Sequence, residues 1–180
     1  KKMKIRAVLG QSLTDLKTAD GDVSAQKKKV VKFIQKWKKD ELITPAVAPH
    51  APYTVSAKTY KWAKKVAVKY SVPLLTHLSE NSNEEAMAKR LLKKGFGSAK
   101  GSVEYLDDLG VLGGKVIAAH MIYPNTHEIK ILSEKKVGIA HCPQSNLKLA
   151  SGIAPIVKLR NSNINVGLGT DGTASNNDLN

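Results

Sequence analysis

The sequence predicts an α/β fold built on a parallel sheet, and three observations carry that prediction. Short apolar runs of strand length alternate along the chain with amphipathic segments of helical period. The runs stay apolar at consecutive positions, as strands covered on both faces must. They also hand over, at their C-terminal ends, to a histidine or a carboxylate, which is where a parallel sheet gathers its loops.

At 180 residues and 42% hydrophobic content the chain has the length and composition of one globular domain. No run of about 18 apolar residues is present to span a bilayer. Lys1-Lys2-Met3-Lys4 leads into an apolar run too short for a signal-peptide core. The chain does not begin with Met, so a longer parent protein is expected. Cys142 is the single cysteine, which excludes an internal disulfide and points to a cytoplasmic setting. It reads first as a small buried residue, with a nucleophile as the alternative. The net charge of +14 raises a nucleic-acid partner, but all 29 basic residues except Arg6, Arg90 and Arg160 are lysine. Lysines such as Lys28, Lys39 and Lys65 fall on polar helix faces, so solvated surface is the better explanation. Oligomeric state stays open, a homo-oligomer included.

Residues 5–10 read as a short buried strand closed by Gly10, followed by a polar loop over 11–23. Ser24 is placed to cap a helix whose Val30, Phe33, Ile34 and Trp37 form one apolar stripe. A strand over 43–48 runs into Pro49-His50-Ala51-Pro52-Tyr53-Thr54. Ser56 caps the next helix, with Tyr60, Ala63, Val66, Ala67 and Tyr70 inward. The run Val72-Pro73-Leu74-Leu75 then delivers Thr76-His77-Leu78-Ser79-Glu80. Asn83-Glu84-Glu85 opens a helix, acidic at its positive end, that runs to Lys94 and stops at Gly95. Residues 102–109 form a short helical turn ended by Gly110. The strand over 115–120 ends in His120, Thr126 caps a helix with Ile129, Ile131 and Leu132 inward, and residues 137–141 form a strand ending in His141. A short helix over 153–159 precedes the last strand, 164–169, and Thr170-Asp171-Gly172.

Five successive strands thus end in His50, His77, His120, His141 and Asp171. One isolated histidine on an apolar segment is more often a core or cap residue than a ligand. Recurrence at strand ends changes that reading, because in a β/α barrel all such ends converge on one face. His77 and Glu80, three residues apart, can place an imidazole on a metal and a carboxylate beside it for proton transfer. His127 falls in a first helical turn and is expected to be exposed.

Thr76-His77-Leu78-Ser79-Glu80, Ala119-His120, the stretch from His141 to Asn146, and Gly169-Thr170-Asp171-Gly172 resemble the metal-dependent amidohydrolase superfamily. The stretches from Ala48 to Thr54 and from His141 to Gly152 resemble, more closely, its methylthioadenosine/S-adenosylhomocysteine deaminases. That resemblance implies hydrolytic removal of the C6 amino group of an adenosine derivative, with Zn²⁺ as cofactor. It makes His77 and Asp171 metal ligands, from the fifth and eighth barrel strands. Asp171 is also the implied base for the attacking water, and Glu80 the group that protonates purine N1 and the departing amine. His120 would orient the attacking oxygen or stabilise the developing oxyanion, and His50 would contact the nucleoside. His141 would support the site from behind or touch substrate. Ser145 and Asn146 would shape its rim, and Gly169 and Gly172 would let the backbone approach Asp171 closely.

The sequence departs from the family in having no His-x-His pair, which the first barrel strand should carry, and no acidic ribose-binding residue on an early loop. About six strands are present where a closed barrel has eight. The expectation is therefore a partial (β/α)8 TIM barrel. Residues 1–180 would be an internal segment holding the third to eighth strands, without the first two strands or the C-terminal region. Such a segment should expose sheet edges and bind metal poorly on its own. Guanine deaminase or chlorotriazine hydrolase chemistry, an inactive truncated barrel and a basic nucleic-acid-binding segment are the competing readings.

Overall fold

A computed structural model describes residues 4–177 of the chain. Its six strands are β1 (Ala7–Leu13), β2 (Ile43–Pro49), β3 (Leu74–Leu78), β4 (Val116–His120), β5 (Gly138–His141) and β6 (Val166–Leu168). They form one sheet in the order of the sequence, with every neighbouring pair parallel. Between them run α1 (Val23–Trp37), α2 (Ala57–Tyr70), α3 (Glu84–Leu92), α4 (Ser102–Asp108), α5 (Thr126–Glu134), α6 (Pro143–Lys148) and α7 (Ile156–Asn161). The six units are part of a β/α barrel, as expected.

The core lies between the sheet's convex face and the helices. Val30 and Ile34 of α1 and Tyr60 and Ala63 of α2 are fully buried there, against Val47, Leu74 and Leu78 from the strands. Lys28, Lys29, Lys39 and Lys65 are exposed, so these basic residues occupy solvent-facing positions. The concave face carries small residues, Gly10, Ala48, Ala119 and Ala140, beside larger ones such as Leu75 and Ile117. A Cβ at Gly10 would come within 2.8 Å of the Ala48 Cβ. Gly10 is therefore a packing requirement inside β1 and not its end, and the ladder to β2 continues to Leu13.

Several boundaries differ from the sequence reading. Asp22, not Ser24, caps α1, its Oδ1 accepting from Ala25 N at 2.8 Å. Asn125, not Thr126, caps α5, in a capping box with Glu128. In both cases two polar residues compete for the cap, and the one in extended conformation wins. Ser56 caps α2 as expected. Helix α3 ends at Leu92 because Lys93 turns into the left-handed region with φ 58°. Pro143 starts α6, which the periodicity did not reveal, and α7 begins only after Pro155.

Candidate metal centre

The strands β2 to β6 each lead to a histidine or a carboxylate at the same end of the sheet. His50 follows β2, and its carbonyl accepts from both the backbone N–H and the ring Nδ1 of His77, each at 2.9 Å. A ring that donates through Nδ1 carries its lone pair on Nε2, the tautomer a metal ligand needs. His120 repeats the arrangement. Its Nδ1 lies 2.8 Å from Asn146 Oδ1, while its Nε2 is buried with no hydrogen-bond partner. That partnerless nitrogen points at Glu80 Oε1 and Asp171 Oδ2, each 3.9 Å away.

His120 reaches this position by breaking strand alternation. It shares its parity with Val116 and Ala118, which are buried in the core. Left-handed backbone at His120 and Met121, with φ of 73° and 51°, turns the chain there. The His120 ring stacks on that of His77 with centroids 5.3 Å apart, and His77 in turn lies 4.9 Å from His50.

Asp171 closes the group from the end of β6. Its Oδ1 is 3.8 Å from His77 Nε2. Its Oδ2 accepts from the hydroxyls of Ser145 at 2.6 Å and Ser175 at 2.7 Å. Burial pushes the Asp171 carboxyl up, but those two hydroxyls, the Gly172 N–H and nearby His120 outweigh it and hold the group below its usual range. His77, His120 and Asp171 together offer ligand atoms that all lie within 4.8 Å of one another. Two imidazoles fixed by their far nitrogens, an orphaned buried Nε2 and an ionised carboxylate suit a divalent cation such as Zn²⁺.

Glu80 stands beside this group, 8% exposed, with Tyr53 donating to its Oε2 at 3.2 Å. Burial and the Glu80 charge push the Tyr53 phenol well up, so it stays a donor. Oε1 is thereby left facing His120. His50 hydrogen-bonds through Nδ1 to Thr54 Oγ1 at 2.8 Å, and that hydroxyl donates to the Ala51 carbonyl at 3.2 Å. His50 is thus the donor, and its Nε2 is free to accept from a bound molecule. Burial, and then the neighbouring His77, lower its pKa. An open cleft of about 380 Å³ with Ala48, His50, His77, Ala119 and Asp171 in its wall runs along the concave face.

Not every expected residue joins the site. Ala140 and Cys142 line the cleft, so the intervening His141 points to the other side of β5, into a separate hollow beside α7. Alternation along the strand carried that information. Asn146 sits directly behind His120, and Ser145 anchors Asp171 instead of shaping a rim. A Cβ at Gly169 would meet Cys142 Sγ at 3.0 Å, whereas one at Gly172 would meet nothing within 4 Å. Only Gly169 marks a close approach. Burial raises the Cys142 thiol pKa, which suits a packed residue and not a nucleophile. His127 is exposed. The hydroxyls of Tyr53 and Ser175 were missed, and only the place of Tyr53 in the His50 motif hinted at either.

A family model described as "Amidohydrolase family" matches residues 1–180. The chain belongs to the amidohydrolase family. Within this amidohydrolase group, a 5-methylthioadenosine/S-adenosylhomocysteine deaminase from Thermodesulfovibrio yellowstonii is 46% identical over 183 residues, covering 99% of this chain and 40% of the relative. A 5'-deoxyadenosine deaminase from Methanothrix thermoacetophila is 44% identical over 180 residues, with coverages of 99% and 40%. Among solved structures, an adenosine deaminase from Xanthomonas campestris with bound zinc superposes with a TM-score of 0.87 at 35% identity, covering 97% of this chain and 38% of that one. The amidohydrolase chain therefore spans about 40% of the length of these relatives.

Proposed function

We propose that the protein containing this chain is a zinc-dependent deaminase that replaces the C6 amino group of an adenosine derivative with oxygen. The substrate would be of the methylthioadenosine or S-adenosylhomocysteine type. In this reading the chain supplies the third to eighth strands of a larger barrel in the cytoplasm. The observation that carries the proposal is the convergence of His77, His120 and Asp171 on one point, with the Glu80 carboxylate 3.9 Å from the free nitrogen of His120.

His77 and Asp171 would hold the cation, with His120 beside them. When bound, zinc supplies a Lewis acid that makes water nucleophilic near neutral pH. Asp171 takes a proton from the attacking water, its Oδ2 held still by Ser145 and Ser175. His120, with Nε2 facing Glu80 and Asp171, orients that water or stabilises the developing oxyanion. Glu80 delivers its proton to purine N1 through the Oε1 that Tyr53 leaves free, takes the proton left on the attacking oxygen and passes it to the departing amine; the proton held by Asp171 then restores the acid form of Glu80. His50 accepts through Nε2 from a donor on the nucleoside. The products are the 6-oxo purine and ammonia.

The test is ammonia release from methylthioadenosine and S-adenosylhomocysteine by the full-length protein with Zn²⁺, alongside Asp171→Asn. Release that vanishes in the variant supports the proposal. A folded, zinc-loaded protein that releases no ammonia from either nucleoside overturns it.

A further inference from the structure

Glu84, the first residue of α3, is only 4% exposed and touches neither the cleft nor the metal-binding group. Its carboxylate is nevertheless fully engaged. Oε1 accepts from the backbone N–H of Glu80 at 2.7 Å and of Asn81 at 3.4 Å, and Oε2 from that of Ser79 at 3.2 Å. The Ser102 hydroxyl, at the start of α4, bonds the same carboxylate.

These three amides belong to the turn that carries Glu80. In an extended chain, residues 77 and 80 project to opposite faces of the sheet. Here Ser79 adopts φ 54°, a left-handed conformation that costs a non-glycine residue energy and persists only where the surroundings fix it. The Ser79 carbonyl is held from the other side by the N–H groups of Ile122 at 2.7 Å and Tyr123 at 3.2 Å. One clamp is therefore the loop after β4, and the other is a single buried side chain.

We propose that Glu84 is a positioning residue for the deamination: it holds backbone 79–81 in the left-handed turn that brings the Glu80 carboxylate to the metal centre. The proposal rests on the deaminase reading for its kinetic consequence but not for its structural one. Glu84 acts through Glu80 and does not touch substrate. Proton transfer depends steeply on placement, whereas zinc and nucleoside binding depend on His77, Asp171 and His50, which Glu84 does not contact.

The experiment compares the full-length protein with Glu84→Ala, Glu84→Gln and Ser102→Ala. In Glu84→Ala, kcat for ammonia release should fall about 100-fold, with KM and bound zinc unchanged. Glu84→Gln keeps an oxygen for the Glu80 N–H and should recover to within about tenfold of the parent. Amide hydrogen exchange at residues 79–81 should quicken in the same rank order, in protein without substrate. Should Glu84→Ala fail to fold, Ser102→Ala, which loosens the carboxylate from behind, must raise exchange at 79–81 and lower kcat together. Unchanged exchange, faster exchange with unchanged kcat, or zinc loss in step with activity would each overturn the proposal. A parent that deaminates no nucleoside defeats the deaminase reading instead, and the exchange measurement then still decides whether Glu84 holds the turn.

Discussion

At the scale of single residues, the site is a set of side chains whose far ends are tied down so that their near ends are free. His77 gives its Nδ1 proton to a carbonyl and His120 gives its own to Asn146. Replacing Asn146 with Ala should therefore loosen the His120 ring and lower kcat for ammonia release about 10- to 100-fold, with bound zinc unchanged. Steady-state kinetics beside a zinc assay would read this, and an unchanged kcat would mean that His120 is not set by Asn146. Glu84 gives a pH prediction. Burial raises its carboxyl above the ordinary 4.5, against the pull of Ser102 and the backbone amides. A raised folded-state pKa contributes stability that is complete below about 4.5 and is lost as pH climbs through the folded value. Thermal unfolding between about pH 4 and about pH 8 should thus show the parent losing ground to Glu84→Gln as pH rises; parallel curves would contradict the buried, titrating carboxylate. His77, Glu80 and Asp171 were legible in the sequence because charge and imidazole are scarce at the ends of apolar strands. The hydroxyls of Tyr53 and Ser175 were not, and Ser145 was legible only as a rim residue and not as a partner of Asp171, since a hydroxyl is common everywhere and its partner is chosen by tertiary contact. The direction of His141 was legible too, since alternation along β5 sets it opposite Ala140 and Cys142.

At the scale of elements, one buried carboxylate joins two helices. Glu128 closes the capping box of α5 and also accepts from Val103 N at 2.9 Å and Glu104 N at 3.3 Å, in the first turn of α4. Gly101 lies flat against it; a Cβ there would meet the carboxylate oxygens in hard overlap. Gly101→Ala should therefore cost about 1–3 kcal/mol in urea unfolding. Asn125→Ala removes one cap bond and should cost about 1 kcal/mol. If the two variants unfold at the parent's midpoint, Glu128 does not couple the helices. The sequence showed α5 by its apolar face of Ile129, Ile131 and Leu132, and α4 only as a short helical turn ended by Gly110. It did not show which polar residue caps α1 or α5, or that α6 exists, because six residues carry too short a period to see. Cap choice depends on where the preceding strand releases the chain, which is a property of the sheet.

At the scale of the molecule, the six described strands leave their first and last members unpaired on one side each. Val8 and Leu9 on β1 are 48% and 42% exposed, Ile117 on the concave face 36%, and Leu168 on β6 85%. Apolar residues on open strand edges, as on β1 and β6, and on an uncovered sheet face, as at Ile117, seek partners. The 180-residue chain expressed alone should self-associate as concentration rises and bind a hydrophobic dye, with Leu9→Lys reducing both. Sedimentation as a dye-free monomer at every concentration would refute this. The sheet's strand order also has a meaning in time. Because it repeats the order of the sequence, each unit can dock on the one synthesised just before it, through contacts of short separation. The three metal-binding groups, however, span residues 77 to 171. No cation can be held by all three until β6, the shortest strand, has joined β5. In the proposed deaminase, zinc held by both His77 and Asp171 would tie β6 to β3 across the sheet, so the metal would fasten that strand only once it has docked.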